Sequence, residues 1–182
     1  MNGSAQAGTV DMAQGGTMLE QRQLRFRELL ERHRGIVLKV AHTYCRETED
    51  RRDLAQDIAA QLWKAFPAWD EARPFATWMY RVALNTAISH ARGNAWRERH
   101  VALEDSPIEP AHDAEAERET GDGIRALYRV IDRLAALDRA LLLLYLDERS
   151  QREIAEILGI GESNVATKIG RLKLRIRNEF GD

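Results

Sequence analysis

The stretch SQREIAEILGIGESNVATKIGRLKLRIR, residues 150–177, decides the fold of the C-terminal part of the chain. Ser150 and Glu153 match the Ser-x-x-Glu capping box that begins an α-helix. Gly159 stands where a helix commonly ends in the left-handed conformation. Beyond this turn, apolar residues return at helical spacing, which predicts a second amphipathic helix. Together these signals indicate a helix-turn-helix, whose second helix enters the major groove of DNA. The apolar positions are Val165, Ile169, Leu172 and Ile176.

The predicted second helix carries a local excess of positive charge, with five basic residues against one acid, Glu162. Such an excess neutralises DNA phosphates and releases their counterions. Short polar side chains near the start of the helix can reach base edges. An ordinary helical hairpin with a solvated basic face is the structural alternative. We predict DNA contacts from Ser163, Asn164, Thr167, Lys168 and Arg171 on a helix that also carries Lys173, Arg175 and Arg177.

Prolines and charge divide the chain into two helical blocks. The four prolines occur only within residues 67–74 and 107–110, and no long strand pattern appears, so we predict an all-α protein. Residues 101–123 hold eight acidic residues and one basic residue, which predicts an extended, self-repelling linker or a simple solvated tether. The predicted division is a disordered tail at 1–18, a helical domain at 19–99, a flexible acidic linker at 100–122 and a second helical domain at 123–182.

Bulk properties exclude several classes of protein. The chain has 182 residues and a net charge of -2, so the DNA prediction depends on local charge rather than on the total. A single cysteine, Cys45, permits no internal disulfide. Residues 1–17 lack the basic start and apolar run of a signal peptide, and no apolar stretch is long enough to span a membrane. These features predict a cytoplasmic protein without membrane insertion.

The first block contains two patterns of its own. Leu54, Ile58 and Leu62 form one apolar stripe, which predicts a helix that packs against neighbours. Residues 75–99 interleave aromatic and basic side chains, among them Tyr80 and Trp96, a pattern that suits unstacked single-stranded bases. Aromatic residues at helical spacing are nevertheless more often core, so both interpretations stay open.

Three motifs, in the same order and with the same separations, resemble the sigma-70 family. DLAQDI at residues 53–58, followed by Trp63, is similar to the family motif DLVQET with its later tryptophan. FATWMYRVALNTAISHAR at 75–92 resembles FRAWLYRIARNLAIDHLR, and SQREIAEILGI at 150–160 resembles the family's helix-turn-helix. Ser89 stands where aspartate is common, and Ala166 where lysine is common. Two conserved modules joined directly are similar to the extracytoplasmic-function group.

The resemblance implies an RNA polymerase sigma factor whose partners are core RNA polymerase and promoter DNA. The helix at 53–63 would dock on the clamp helices of the largest polymerase subunit, the loop at 67–74 would hold a flipped minus-ten base, and the acidic linker would thread toward the active-site cleft. The final helix, with the five DNA-contact residues named above, would recognise the minus-thirty-five element. The implied core-binding residues are Asp53, Gln56, Asp57 and Trp63; the implied minus-ten residues are Trp69, Asp70, Trp78, Arg81, Asn85, Ser89 and Arg92.

Several other functions are alternatives to this interpretation. A plain helix-turn-helix regulator needs no clamp-docking motif, and a sigma-like decoy that titrates an anti-sigma factor needs no DNA contacts. An anti-sigma factor is a further candidate partner of this chain. His42 and Cys45 offer at most half a metal site, and no phosphate-binding glycine motif occurs. We therefore expect no enzyme, no cofactor and no metal.

Overall fold

The computed structural model describes the backbone of residues 7–101, 130–131 and 133–180. These ranges contain helices and connecting turns without a β-strand, which confirms the all-α class. Residues up to Arg34 form one compact unit, and residues from Gly35 onward form a second. The elements are α1 (Ala7–Arg32), α2 (Arg34–Tyr44), α3 (Thr48–Ala65), a 3-10 helix (Phe66–Ala68), α4 (Phe75–Val101), α5 (Ala136–Leu146), α6 (Gln151–Leu158) and α7 (Glu162–Phe180).

Helix α1 begins at Ala7, inside the tail that we expected to be disordered. This part of the chain contains no proline, and its alanine, glutamine and methionine residues favour helix, whereas Gly8, Gly15 and Gly16 disfavour it. The segment that begins at Ala7 can therefore extend a helix whose later residues favour this structure more strongly. The predicted linker lies almost entirely outside the described residues, as do all residues at 102–129.

Helix α3 packs on α4 through the predicted stripe, because Leu54, Ile58 and Leu62 are all 0% exposed. Helix α4 also contacts α5 and α6, so it lies between the first block and the helix-turn-helix. Fully burying one aliphatic side chain stabilises a fold by about 1.5–3 kcal/mol. The α3–α4 stripe is thus one of the main sources of stability in the second unit.

Gly93 and Asn94 are residue types that often follow the end of a helix, so the sequence predicts that α4 stops near Arg92, but the helix continues past them and ends at Val101. That expectation was wrong. A glycine inside a helix costs only about 1 kcal/mol relative to alanine, and no proline follows until Pro107. Gly93 has open space around its α-carbon and no positive φ, so nothing at this position requires a helix end.

The helix-turn-helix has the predicted form. The Ser150 hydroxyl accepts the Glu153 backbone N–H at 3.2 Å, and the Glu153 carboxylate accepts the Ser150 backbone N–H at 2.9 Å. Gly159 ends α6 with φ 67°, a conformation that glycine adopts without strain. The Gly161 carbonyl accepts the Asn164 and Val165 N–H groups, each at 3.0 Å, and starts α7. Side chains from both helices form the small core: Ile154, Ile157, Val165, Ile169 and Leu172.

Aspartate commonly caps a helix, so the sequence predicts Asp138 as the N-cap of α5, and the structure corrects this expectation. The N-cap is Ala135, and Asp138 lies within the first turn. The backbone at Ala135 is extended, with ψ 150°, and the helix begins at the next residue. A carboxylate in the first turn still interacts favourably with the helix dipole. Asp138 also reaches Lys168 of α7, with 3.9 Å between Oδ1 and Nζ.

Two glycine substitutions should change stability in opposite directions. Gly159→Ala places a β-carbon on a left-handed residue and should lower the free energy of unfolding by about 1 kcal/mol or more. Gly93→Ala lies in a continuous helix with free space and should raise it by about 0.5–1 kcal/mol. Urea denaturation of both variants beside the parent chain measures the difference. A loss of stability in Gly93→Ala would show that α4 is interrupted there.

Candidate functional site

The outer face of α7 carries four of the five side chains predicted to contact DNA. Ser163, Asn164, Thr167 and Arg171 are exposed, on the side of the helix opposite the buried stripe. The Thr167 hydroxyl donates to the Ser163 carbonyl at 2.9 Å, which fixes its side chain on this face. Short polar side chains near the start of such a helix can form hydrogen bonds with base edges. An arginine one turn further along can contact a phosphate.

The other basic side chains of α7 contact different parts of the protein. Lys168 is partly buried beside Asp138. The Lys173 ammonium lies 4.5 Å from the ring centroid of Tyr145, a cation–π contact with α5. Arg175 donates to the Arg133 carbonyl at 3.3 Å, while it also lines a shallow groove with Arg171, Leu174 and Asn178. Among the predicted DNA-contacting residues, Arg171 is therefore the one that presents positive charge on the outer face, and Arg177 is exposed further along the helix.

A second polar strip runs along α4. Arg81, Asn85, Ser89 and Arg92 are all exposed and recur at spacings of four, four and three residues, so they lie on one helical face. The opposite side of the helix is buried by Met79, Tyr80, Ala83, Leu84 and Ala87. The structure thus brings together the four predicted minus-ten residues of this helix.

Trp69, which follows the 3-10 helix, and Trp78, in the first turn of α4, belong to an aromatic cluster. Trp69 and Trp78 are half-buried, and their ring centroids lie 5.1 and 5.2 Å from that of Phe75. Phe66 stacks on Trp69 at 5.8 Å. Much of this aromatic pattern therefore packs the fold, as does Tyr80, which is fully buried. The side chain of Trp96 lies outside the described residues.

The loop between the 3-10 helix and α4 is ordered by Asp70. One carboxylate oxygen of Asp70 accepts the Ala72 N–H at 3.0 Å, and its carbonyl accepts the Arg73 N–H at 3.0 Å. The turn uses Asp70 Oδ1, while Oδ2 lies 3.9 Å from Arg73 Nε, and the residue as a whole stays exposed. Asp70 consequently shapes the loop in addition to any contact with DNA.

The predicted core-binding residues lie on α3 opposite its buried stripe. Asp53, Gln56 and Asp57 are exposed, and none of these three side chains pairs with another residue that the structure describes. Trp63 is half-buried at the border of this surface. An acidic and amide face of this kind can accept hydrogen bonds from a basic partner.

A cluster around Asp147, in the turn between α5 and α6, was not predicted from the sequence. The carboxylate accepts hydrogen bonds from the Lys39 ammonium and the Tyr80 hydroxyl, and Arg149 approaches it to 4.0 Å. Burial alone would raise the pKa of Asp147, but these hydrogen bonds and positive charges lower it below its ordinary value. Burial, followed by the hydrogen bond with Asp147, raises the pKa of Tyr80. No local spacing links these residues, so only the tertiary fold identifies them.

His42 and Cys45 both lie close to Arg51. His42 Nδ1 is 3.4 Å from an Arg51 nitrogen, and partial burial together with Arg51 lowers the pKa of His42. Burial raises the pKa of the Cys45 thiol to about 11, so it is protonated at neutral pH. Across the described ranges, no three metal-binding side chains converge, and no helix combines the length and hydropathy that a membrane span needs.

Comparison with known proteins matches both blocks. The family described as Sigma-70 region 2 matches residues 29–97, and Sigma-70, region 4 matches residues 124–176. RNA polymerase sigma factor CnrH of Cupriavidus metallidurans is 26% identical over 163 residues, which cover 85% of each chain. The extracytoplasmic-function (ECF) RNA polymerase sigma factor SigW of Bacillus subtilis is 23% identical and covers 86% of this chain and 89% of SigW.

Two solved structures are similar in fold. CnrH in complex with the cytosolic domain of CnrY has a TM-score of 0.61 at 23% identity, covering 84% of this chain and 85% of CnrH. The sigma factor RpoE in complex with the anti-sigma factor NepR from Bartonella quintana has a TM-score of 0.67 at 17% identity, covering 86% of this chain and 96% of RpoE. The helical architecture is therefore that of these proteins.

Proposed function

The chain belongs to the sigma-70 family, and on that premise we propose that it acts as an extracytoplasmic-function sigma factor that binds core RNA polymerase and directs it to promoters. The observation that carries this proposal is the presence of separate polar faces on α3, α4 and α7, each opposite a buried stripe. A plain helix-turn-helix regulator would need only the face on α7. The core enzyme supplies the chemistry in this proposal, and the chain supplies promoter recognition in the cytoplasm.

The α4 strip is assigned to the minus-ten element. Asn85 and Ser89 offer hydrogen bonds to base edges, while Arg81 and Arg92 offer charge to the backbone of the separated strand. Trp78 lies on the same side of the helix, with part of its ring accessible beside the loop that holds Asp70. A partly exposed aromatic edge next to a polar loop suits the capture of an unstacked base.

The α7 face is assigned to the minus-thirty-five element. Asn164 and Thr167 recognise bases, and Arg171 contacts phosphate. Lys168 joins them when its ion pair with Asp138 opens, an exchange that costs little because both side chains are about one-third exposed.

Two further roles complete the proposal. The acidic linker, by its charge, would occupy a basic channel of the polymerase near the active-site cleft. Because both similar solved structures hold a sigma factor with a second protein, named as an anti-sigma factor in the RpoE complex, we propose that this chain also has an anti-sigma partner. A decoy that only titrates such a partner would not need the exposed α7 face.

Core binding should depend on the acidic and amide face of α3. Truncating one partner of an interfacial polar contact typically costs about 2–5 kcal/mol, so Gln56→Ala with Asp57→Ala should weaken binding to core polymerase by that amount. Thermal stability should change little because both side chains are exposed. Titration of labelled core enzyme measures the affinity.

The matched control is Glu20→Ala with Gln21→Ala, which likewise removes one carboxylate and one amide side chain from an exposed stretch, here of α1. This control should bind core as the parent does. Equal affinities for the parent and the α3 variant would remove the assignment of α3.

Two variants of the α7 face should distinguish contact with phosphate from recognition of bases. Arg171→Ala should weaken binding to minus-thirty-five and scrambled duplexes alike and lower the salt slope by about one unit. Asn164→Ala should weaken the cognate duplex by about 1–3 kcal/mol and leave the scrambled duplex unchanged. Fluorescence anisotropy of the full chain across a salt series provides both quantities.

Lys173→Ala is the control for charge, since Lys173 lies over Tyr145 rather than on the outer face. It should change the salt slope less than Arg171→Ala does. The reverse order would mean that α7 presents a different face to DNA.

A further inference from the structure

Lys168 lies at the edge of the α7 face, the outer side of α7 that carries Asn164, Thr167 and Arg171. It follows Asn164 by four residues and precedes Arg171 by three, and residues at these spacings are neighbours on a helix. The Lys168 side chain is 31% exposed, so part of it reaches solvent beside Arg171. Lys168 is therefore placed to contact DNA phosphate together with Arg171.

The charge of Lys168 is paired with a carboxylate of its own chain, that of Asp138. Asp138 lies in the first turn of α5, which packs on α7, and its Oδ1 is 3.9 Å from Lys168 Nζ. Within the part of the chain that the structure describes, Lys168 is the only residue with which the Asp138 side chain forms an ion pair or hydrogen bond. The N-cap of α5 is Ala135, so the Asp138 carboxylate acts on Lys168 rather than as a cap.

This ion pair differs from the other contacts that basic residues of α7 make. Lys173 lies over the ring of Tyr145, and Arg175 donates to the Arg133 carbonyl. Neither a ring nor a carbonyl carries a net charge, so both cations keep their attraction for phosphate. Among the described residues, Asp138 is the one acid that lies within ion-pair distance of a cation on α7. Asp138 therefore has an effect on the charge of this helix that the other contacts do not have.

We propose that Asp138 competes with DNA phosphate for Lys168 and thereby limits the affinity of the α7 face for DNA of any sequence. This inference rests on the proposed function, because it requires that the α7 face binds DNA. A phosphate gains the contact with Lys168 only when the ion pair opens, so part of the binding free energy is used to separate the pair. Once the pair is open, the carboxylate also repels the phosphates nearby.

The effect of Asp138 is modest and does not depend on base sequence. Both side chains of the pair are about one-third exposed, and an ion pair of this kind changes an equilibrium by no more than about fivefold. Contacts with phosphate supply essentially all of the affinity for non-specific DNA, so a weaker phosphate contact lowers that affinity directly. Because a genome offers a large excess of non-specific sites, such a limit leaves more of the chain free to reach core polymerase.

A double-mutant cycle of the full chain tests the inference. Asp138→Asn removes the negative charge and keeps the size of the side chain, whereas Lys168→Ala removes the cation; the cycle isolates the coupling between the two. Fluorescence anisotropy with a labelled duplex of random sequence, at low salt, measures the affinity. Urea denaturation checks that each variant is folded, because a carboxylate in the first turn of α5 also interacts with the helix dipole.

Asp138→Asn should bind the duplex about threefold tighter than the parent chain, and this gain should disappear when Lys168 is replaced by alanine. Lys168→Ala should accordingly weaken the parent only about twofold but the Asp138→Asn chain about sixfold. Glu162→Gln is the matched control, because Glu162 is an exposed acid in the first turn of α7 without an ion pair to another described residue. Any gain from Glu162→Gln should be the same with and without Lys168.

An affinity of Asp138→Asn equal to that of the parent would overturn the inference, as would a gain that persists without Lys168, because the carboxylate would then act only through the general charge of the chain. Weaker binding of folded Asp138→Asn would also overturn it, since Asp138 would then orient Lys168 toward DNA. These outcomes leave the proposed function intact. Failure of the parent chain to bind any duplex at low salt would instead overturn the assignment of the α7 face to DNA.

Discussion

Burial of α4 on more than half of its circumference is the constraint on which the rest of the second unit depends. At 100° per residue, its buried positions from Phe75 to Ala87 span an arc of about 200°. One part of this arc packs on α3, and another contacts α5 and α6. The remaining strip is narrow, so Arg81, Asn85 and Ser89 align on it. A helix that was buried on only one side would expose a wider arc, and its polar side chains would not be confined to one narrow strip.

Local signals in the sequence predicted much of this architecture. The capping box at Ser150, the left-handed end at Gly159 and the stripe of α3 are encoded within a few residues, and each has the predicted geometry. The outward direction of the α4 and α7 faces followed from the same periodicity. The assignments of those faces to the minus-ten and minus-thirty-five elements came instead from the family resemblance, and they stay predictions until tested.

The features that sequence analysis missed depend on competition or on long-range contacts. Gly93 resembled a stop signal, but no stronger breaker supported it, and the helix continued. Asp138 has the chemistry of an N-cap, yet the chain becomes helical earlier and its carboxylate lies beside Lys168. Lys39, Tyr80 and Asp147 are far apart in sequence and belong to no shared motif, so their meeting depends on the packing of α4 against α5 and α6.

Charge is arranged to favour nucleic acid locally while the chain remains nearly neutral. The acidic residues at 101–123 balance the basic outer side of α7, which explains how a net charge of -2 is compatible with DNA binding. The central claim is that this chain gives core polymerase its promoter specificity. The most direct test is transcription in vitro from a genomic fragment library, with purified core enzyme and this chain but no other sigma factor. We predict discrete RNA 5′ ends that share sequence elements near minus ten and minus thirty-five. Transcripts indistinguishable from those of core enzyme alone would contradict the account.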